Sequence, residues 1–256
     1  MMSLAAQRFD GDLTVVVAVN DDRPDSLAVA ELLAPVLRGV GVECTVVHTA
    51  PGRAAALSAA DRFLPRAPRL YLDQDAALST HAVADLAAVL QPGTGVHFAA
   101  PAVRFAACRS AVSRAYFQAW SRLPYVQLSP VACGAYAVSA AGRGRWGDLP
   151  AIHSDDKWVR WHFAPHERRV VGTSTYEVLP PDGIEDLVRA RLRYRRGNRE
   201  LRALAQVPAH ADDDRRYQHL VRRMVMRPAA WSPALVMVAV HAAVAVLDHQ
   251  PRRGPA

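Results

Sequence analysis

The chain is poor in lysine, cysteine and aromatic residues, and each shortage narrows what it can be. Of its 31 lysine and arginine residues a single one, Lys157, is lysine, so the formal net charge of +7 is carried by guanidinium groups. That balance favours acidic partners: nucleotide diphosphates, nucleic acid or an anionic membrane face. Basic and aromatic residues are not interleaved in any recognised nucleic-acid-binding pattern, so no nucleic-acid partner is expected. The three cysteines, Cys44, Cys108 and Cys133, are too scattered for a metal motif or a disulfide framework, which points to a reducing compartment. Met1 to Asp12 is short and polar, so no signal peptide is expected. No GxGxxG follows the first strand-like run, which argues against a dinucleotide-binding Rossmann site. What remains is a chain of 256 residues, 51% hydrophobic and rich in alanine and valine, long enough for one large domain or a domain with an appendage.

Apolar runs that stop at acids are the main positive signal. Leu13 to Val19 reads as a buried parallel strand and ends in Asn20-Asp21-Asp22. A helix capped by Asp25 or Ser26 runs to about Arg38, and Gly39 and Gly41 stop it. Val42 to Val47 is a second strand, and Pro51-Gly52 turns into an alanine-rich helix over Arg53 to Phe63. Arg69 to Leu72 is a third strand, ending in Asp73-Gln74-Asp75, with Ser79 capping a helix over Thr80 to Leu90. The alternation predicts an α/β fold with a mostly parallel central sheet and helices on both faces. Ligands of such sheets sit beyond the carboxyl ends of the strands. Two hard oxygen ligands there, Asp73 and Asp75, suit Mg²⁺ or Mn²⁺ shared with substrate phosphates.

The middle is less regular. Gly95 to Ala100 reads as a strand and Ser110 to Arg122 as a helix. Ser129 to Val138 is strand-like but broken by Gly134, a residue that marks close approach of a ligand or another backbone. A second acidic pair, Asp155-Asp156, opens the helical segment around Trp158 to Phe163, where it reads equally as an N-terminal cap. An arginine-rich stretch spans Arg191 to Arg196. Residues 1–205 are expected to form one domain. Residues 206–256 are expected to be a linker followed by an uncharged apolar helix at 229–247, about the length of a membrane span, so a membrane surface is an expected partner.

Taken in order, these elements resemble the family 2 glycosyltransferases of the GT-A fold. VAVNDD (17–22) resembles their first strand end, Gly52-Arg53-Ala54-Ala55-Ala56-Leu57-Ser58 the start of their second helix, LYLDQDAAL their DxD element, and the segment from Cys133 to Phe163 their acceptor side ending in an E-D pair. The resemblance covers roughly residues 13–200. It implies inverting transfer of a sugar from a nucleotide-sugar donor to a hydroxyl of a sugar, lipid or small-molecule acceptor. Asp156 would then be the base with Asp155 beside it. Asp75 would be the main metal ligand, with Asp73 toward the ribose or metal. Val19, Asn20, Asp21, Arg53 and Gly134 would lie near the donor, and Arg193 and Arg196 would face the leaving diphosphate. His162 and His166 are further candidate ligands, each equally a packing or surface histidine.

The chain also departs from that pattern. His48-Thr49-Ala50 stands where an acidic base-binding segment is usual, and Ser58 replaces an asparagine. Ala190 and Tyr194 replace the glutamine and tryptophan of the motif that grips a growing polymer, which favours transfer of one sugar over processive synthesis. The expected location is cytoplasmic, at the inner face of the cell membrane if the apolar helix binds there. A nucleotidyltransferase and a non-catalytic basic module remain the alternatives. The first usually carries a glycine- and basic-rich phosphate loop after the first strand, which VAVNDDRPDS lacks.

Overall fold

The computed structural model describes residues 2–21, 24–64, 67–204 and 231–249. The expected linker, 206–217, and the first two residues of the expected apolar helix, 229–230, lie outside the described residues. In chain order the elements are α1 (Met2–Ala5), β1 (Thr14–Val19), α2 (Pro24–Gly39), β2 (Glu43–His48), α3 (Arg53–Asp61), β3 (Arg69–Leu72), β4 (Ala76–Leu78) and α4 (Ala82–Val89). Then follow β5 (Phe98–Phe105), α5 (Ala111–Ser121), α6 (Pro124–Leu128), β6 (Ala135–Val138), α7 (Ala140–Arg143), α8 (Asp155–Trp161), β7 (Arg168–Val178), α9 (Ile184–Leu204) and α10 (Trp231–His249).

The α/β class expected from the sequence holds, with helices on both faces, but the pairing of the strands does not follow the expected mostly parallel sheet. β1 and β2 form a separate parallel pair. The larger sheet is mixed, in the order β3-β6-β5-β7-β4, and only β5 and β7 run parallel in it. Two strands account for the difference. β4 was read as the approach to a helix, and β7, eleven residues with polar positions throughout, was not read as a strand. Its alternation is broken at Gly172-Thr173-Ser174, where the register against β5 also shifts. Bulges of this kind interrupt the period-two pattern by which a strand is recognised. Ser79 does not cap α4 with its side chain; its hydroxyl accepts the Thr175 N–H at 3.0 Å and ties β4 to β7.

The crossing between β3 and β4 positions the acids. The Asp73–Asp75 link carries the chain from β3, paired with β6, to β4, paired with the end of β7. It passes over Gly134, whose φ is +151°. A Cβ on Gly134 would lie 2.6 Å from Val178 Cγ1 and 3.2 Å from the Tyr176 ring. The close approach read from this glycine is therefore made by the side chains of β7. The Gly134 carbonyl in turn accepts the Asp73 N–H at 2.8 Å. Beneath lies an aromatic stack: Tyr71 on Tyr136, centroids 4.8 Å apart, and Tyr136 on Phe98 at 5.5 Å.

The C-terminal helix belongs to the folded body. On α10, Val240 and Val244 are buried against Tyr116, Phe117, Trp120 and Leu187 of α5 and α9. The Tyr116 hydroxyl lies 3.1 Å from His241 Nε2, and Arg199 donates to Asp248 at 2.5 Å. Among the described residues no helix is long and apolar enough to cross a membrane, so the spanning form expected for 229–247 is replaced by a docked helix.

Candidate active site

Four carboxylates and one guanidinium meet at the end of β3. Asp73 follows the strand directly, Asp155 and Asp156 form the first turn of α8, and Arg53 opens α3. Arg53 Nη1 lies 2.6 Å from Asp73 Oδ1, and its Nε donates to Asp155 Oδ2 at 2.9 Å. A single side chain thus joins the two acidic elements that stand about eighty residues apart in sequence. Asp155 is 3% exposed at its side chain, Asp73 27% and Arg53 41%. Asp75 is exposed on the turn.

α9 holds the start of α8 in place. Gly197 packs so closely on it that a Cβ there would lie 2.4 Å from Ser154 Oγ, and Lys157 Nζ donates to Asn198 Oδ1 at 3.1 Å. His153 meets Glu200 at 2.8 Å. Glycine at 197 is therefore a packing requirement of the site.

The electrostatics separate the acids. Burial, and then the charge of Asp155, raise the Asp156 carboxyl to about 6, although the residue keeps some solvent contact; the Lys157 N–H, donating at 2.7 Å, opposes the rise. Burial also raises Asp73, against the pull of Arg53. Burial works against the charge of Arg53, but Asp155 and Asp73 outweigh it and hold it more firmly protonated. An acid lifted toward neutrality can accept a proton and release it again, as a general base must.

The remaining residues named from the sequence are unevenly placed. Val19 is buried and its carbonyl accepts the Thr49 N–H at 2.9 Å. Asn20 follows β1, and Asp21 accepts the Ser26 hydroxyl at 2.8 Å while its Oδ1 is buried without a partner. Arg193 is exposed, and Arg196 donates to Glu200 at 2.9 Å on the surface of α9. Neither arginine is joined to the acids. His162 meets Trp158 edge-on and its Nδ1 lies 3.0 Å from the Trp158 carbonyl, while His166 is exposed on a 3₁₀ turn. Ser58 accepts the Leu149 N–H at 2.9 Å, pinning the 148–151 loop to α3. Beside it a cavity of about 520 Å³ opens between His48-Thr49-Ala50, α3 and that loop.

Among the described residues no group of three or more His, Cys, Asp or Glu could hold a metal ion by itself. Asp73 and Asp75 nonetheless supply hard oxygens on one turn, the donor set that suits Mg²⁺ or Mn²⁺ when water and substrate phosphates complete the shell. Sequence reasoning did not single out Tyr136, whose hydroxyl is buried without a partner and whose ionisation is suppressed by burial and by Asp155. It also did not single out Arg191 apart from its neighbours. Neither carries a local motif.

No protein-family model and no curated protein matches the chain. Among solved structures it is similar to glucosyl-3-phosphoglycerate synthase from Mycobacterium tuberculosis in complex with phosphoglyceric acid. That match has 15% identity and a TM-score of 0.41, and covers 80% of this chain and 84% of that one. The same enzyme in complex with Mn²⁺ and uridine-diphosphate-glucose matches at 14% identity, with a TM-score of 0.38 and coverage of 70% and 73%. A further mycobacterial protein matches at 15% identity, with a TM-score of 0.38 and coverage of 75% of each chain.

Proposed function

We propose that the protein is an inverting, metal-dependent glycosyltransferase of the family 2, GT-A type, which moves one sugar from a nucleotide-sugar donor to an acceptor hydroxyl. The observation that carries this reading is Arg53, which draws the Asp73–Asp75 turn and the Asp155–Asp156 pair into one cluster. In the reaction the acceptor oxygen attacks the anomeric carbon and the bond from that carbon to the diphosphate oxygen breaks. Asp156 takes the hydroxyl proton, for which its raised affinity suits it. Asp155, held by Arg53, keeps the start of α8 in register. Asp75 and Asp73 would hold a Mg²⁺ or Mn²⁺, which would supply positive charge against the leaving diphosphate. Arg53, paired with Asp73, brings a cation to the same turn and orients the donor there.

The test is a screen of nucleotide sugars with Mn²⁺ and varied acceptors. Release of free nucleoside diphosphate supports the reading. Release of pyrophosphate from a nucleoside triphosphate and a sugar phosphate would replace it with nucleotidyl transfer.

We further infer that the protein works at the inner face of the cell membrane. The outward side of α10 leaves Leu235, Val238 and Val246 exposed at 67%, 62% and 64%, in a chain of net charge +7. An apolar helix face on a chain of net positive charge suits an anionic lipid surface. Flotation with anionic vesicles but not with zwitterionic ones is expected, and equal recovery from both removes the membrane from this account.

A further inference from the structure

We propose that Arg191 forms an anion subsite on the acceptor side of the cleft, built to take a carboxylate or phosphate group. As an account of the acceptor it rests on the glycosyl-transfer reading; as an anion site it does not.

The arginines of α9 divide sharply. Arg189 pairs with Asp186, Arg196 with Glu200, and Arg195 and Arg199 with Asp248. Arg193 and Arg202 are exposed to water. Arg191 is partly buried, and no carboxylate among the described residues pairs with it. Its Nε is shielded from solvent and has no hydrogen-bond partner. A desolvated cation is retained in proteins when a counter-charge satisfies it. Among the described residues no carboxylate supplies that counter-charge; a bound anion would.

Its surroundings suit such a ligand. The guanidinium carbon lies 5.6 Å from the ring centroid of Tyr116 and 5.4 Å from that of Tyr194. Arg191 also donates to the Tyr116 hydroxyl, and its remaining donors suit the two oxygens of a carboxylate or phosphate. Nearby, His241 contacts the Tyr116 hydroxyl, and desolvation of its ring, with Arg191 and Arg195, lowers its proton affinity.

The subsite adjoins the base. Val131 packs in the same cluster as Tyr116 and Leu192, and its carbonyl accepts the Tyr176 hydroxyl at 2.5 Å. That hydroxyl lies 3.4 Å from Cys133 Sγ. Cys133 keeps solvent contact as a residue, but its thiol sits in packed surroundings; burial raises it, Asp156 adds to the rise and Arg191 opposes it, so both charges lie close to the thiol. An acceptor whose hydroxyl is at Asp156 can thus place an acidic group at Arg191, on the far side of Cys133.

The experiment titrates inorganic phosphate into the full chain by calorimetry. Wild type is expected to bind it, and Arg191→Gln to bind it at least about tenfold more weakly, the scale of a charge-assisted pair. Asp75→Ala, and wild type saturated with nucleoside diphosphate and Mn²⁺, are expected to bind it as wild type does, which separates an acceptor group from the donor's phosphates. Should Arg191→Gln fail to fold, phenylglyoxal modification of the wild type, mapped by mass spectrometry, is expected to show the Arg191 peptide protected by phosphate. Unchanged affinity in Arg191→Gln, competition by nucleoside diphosphate, or no phosphate binding to the wild type overturns the proposal. None of these readouts needs sugar transfer, so the subsite and the enzyme reading fail separately. Once an acceptor is known, Arg191→Gln is expected to raise its KM about tenfold with little change in kcat.

Discussion

Two clusters of arginine and aspartate join the same helix to the same strand, one at each end, and they are balanced in opposite ways. At the end of α3, Asp61 is 4% exposed and is saturated: Arg69 donates to it at 3.1 Å, Arg143 at 2.9 Å, and the Tyr71 hydroxyl lies 3.0 Å from both its oxygens. The spare donors of both arginines end on the carbonyls of Ala67, Trp146 and Gly147. At the start of α3 the ratio is inverted. Asp73 and Asp155 share Arg53, Asp75 faces solvent, and Asp156 has its proton affinity raised. The first cluster has nothing left to bind and serves the fold. The second is short of positive charge, which suits the cation and diphosphate proposed above.

Breaking the saturated cluster should have the largest effect. Asp61→Ala leaves two largely buried guanidinium groups without their carboxylate, and a loss of about 3–5 kcal/mol in unfolding free energy is expected, measured by urea denaturation. Nucleotide binding by whatever remains folded should be unchanged; a selective loss of binding with full stability would mean the two clusters had been assigned the wrong way round.

Asp156→Asn sharpens the contrast from the other side. Asparagine keeps the shape and cannot accept the acceptor's proton, so transfer should fall at least about a hundredfold with donor and metal affinity nearly intact. Full activity would reduce Asp155-Asp156 to the first turn of a helix. Asp75→Ala should be milder in free energy, lowering Mn²⁺-dependent binding of nucleoside diphosphate by at least about tenfold in calorimetry, because one of two hard ligands is lost. Equal affinity with and without the carboxylate would remove the metal from Asp75.

The last effect is on pH. An acid raised in the folded state from its ordinary 3.8 to about 6 favours folding while it holds its proton. That contribution disappears as pH rises from about 4 through 6, so Asp156 should make the protein less stable by about 2 kcal/mol at pH 7 than at pH 4. The thermal midpoint of Asp156→Asn should lack this component, and the acid limb of kcat/KM in the wild type should fall near pH 6. A wild-type midpoint that varies with pH as the variant's does would refute the raised affinity.

Local pattern was enough to place the acids at element ends. Leu70-Tyr71-Leu72 followed by Asp73 fixes a strand and what leaves it, and the helix expected from Ser110 starts there, with the Ser110 hydroxyl accepting the Ser113 N–H at 3.3 Å. Gly134 was legible as a point of close approach, because only a residue without Cβ tolerates φ of +151° under Val178. Periodicity did not reveal β7, since its bulge disrupts the alternation, nor that the sheet is mixed, since strand direction depends on partners distant in sequence. The uncharged run 229–247 has about the length of a membrane span, but the helix at 231–249 lies on α5 and α9, where Val240 and Val244 find a buried surface.

The sequence by itself determined which residues could do chemistry: two acidic elements, a helix-initial arginine and one lysine, each placed by the end of a strand or helix. Only the tertiary structure decided which of them meet. Arg53 reaches Asp73 and Asp155 because α3 runs back beside β3, while Arg196, equally basic in sequence, is turned by helical phase toward Glu200. Charge is a property of the residue. Whether it is spent within the fold or left over for a ligand depends on contacts between segments far apart in the chain, and short-range pattern holds no record of those.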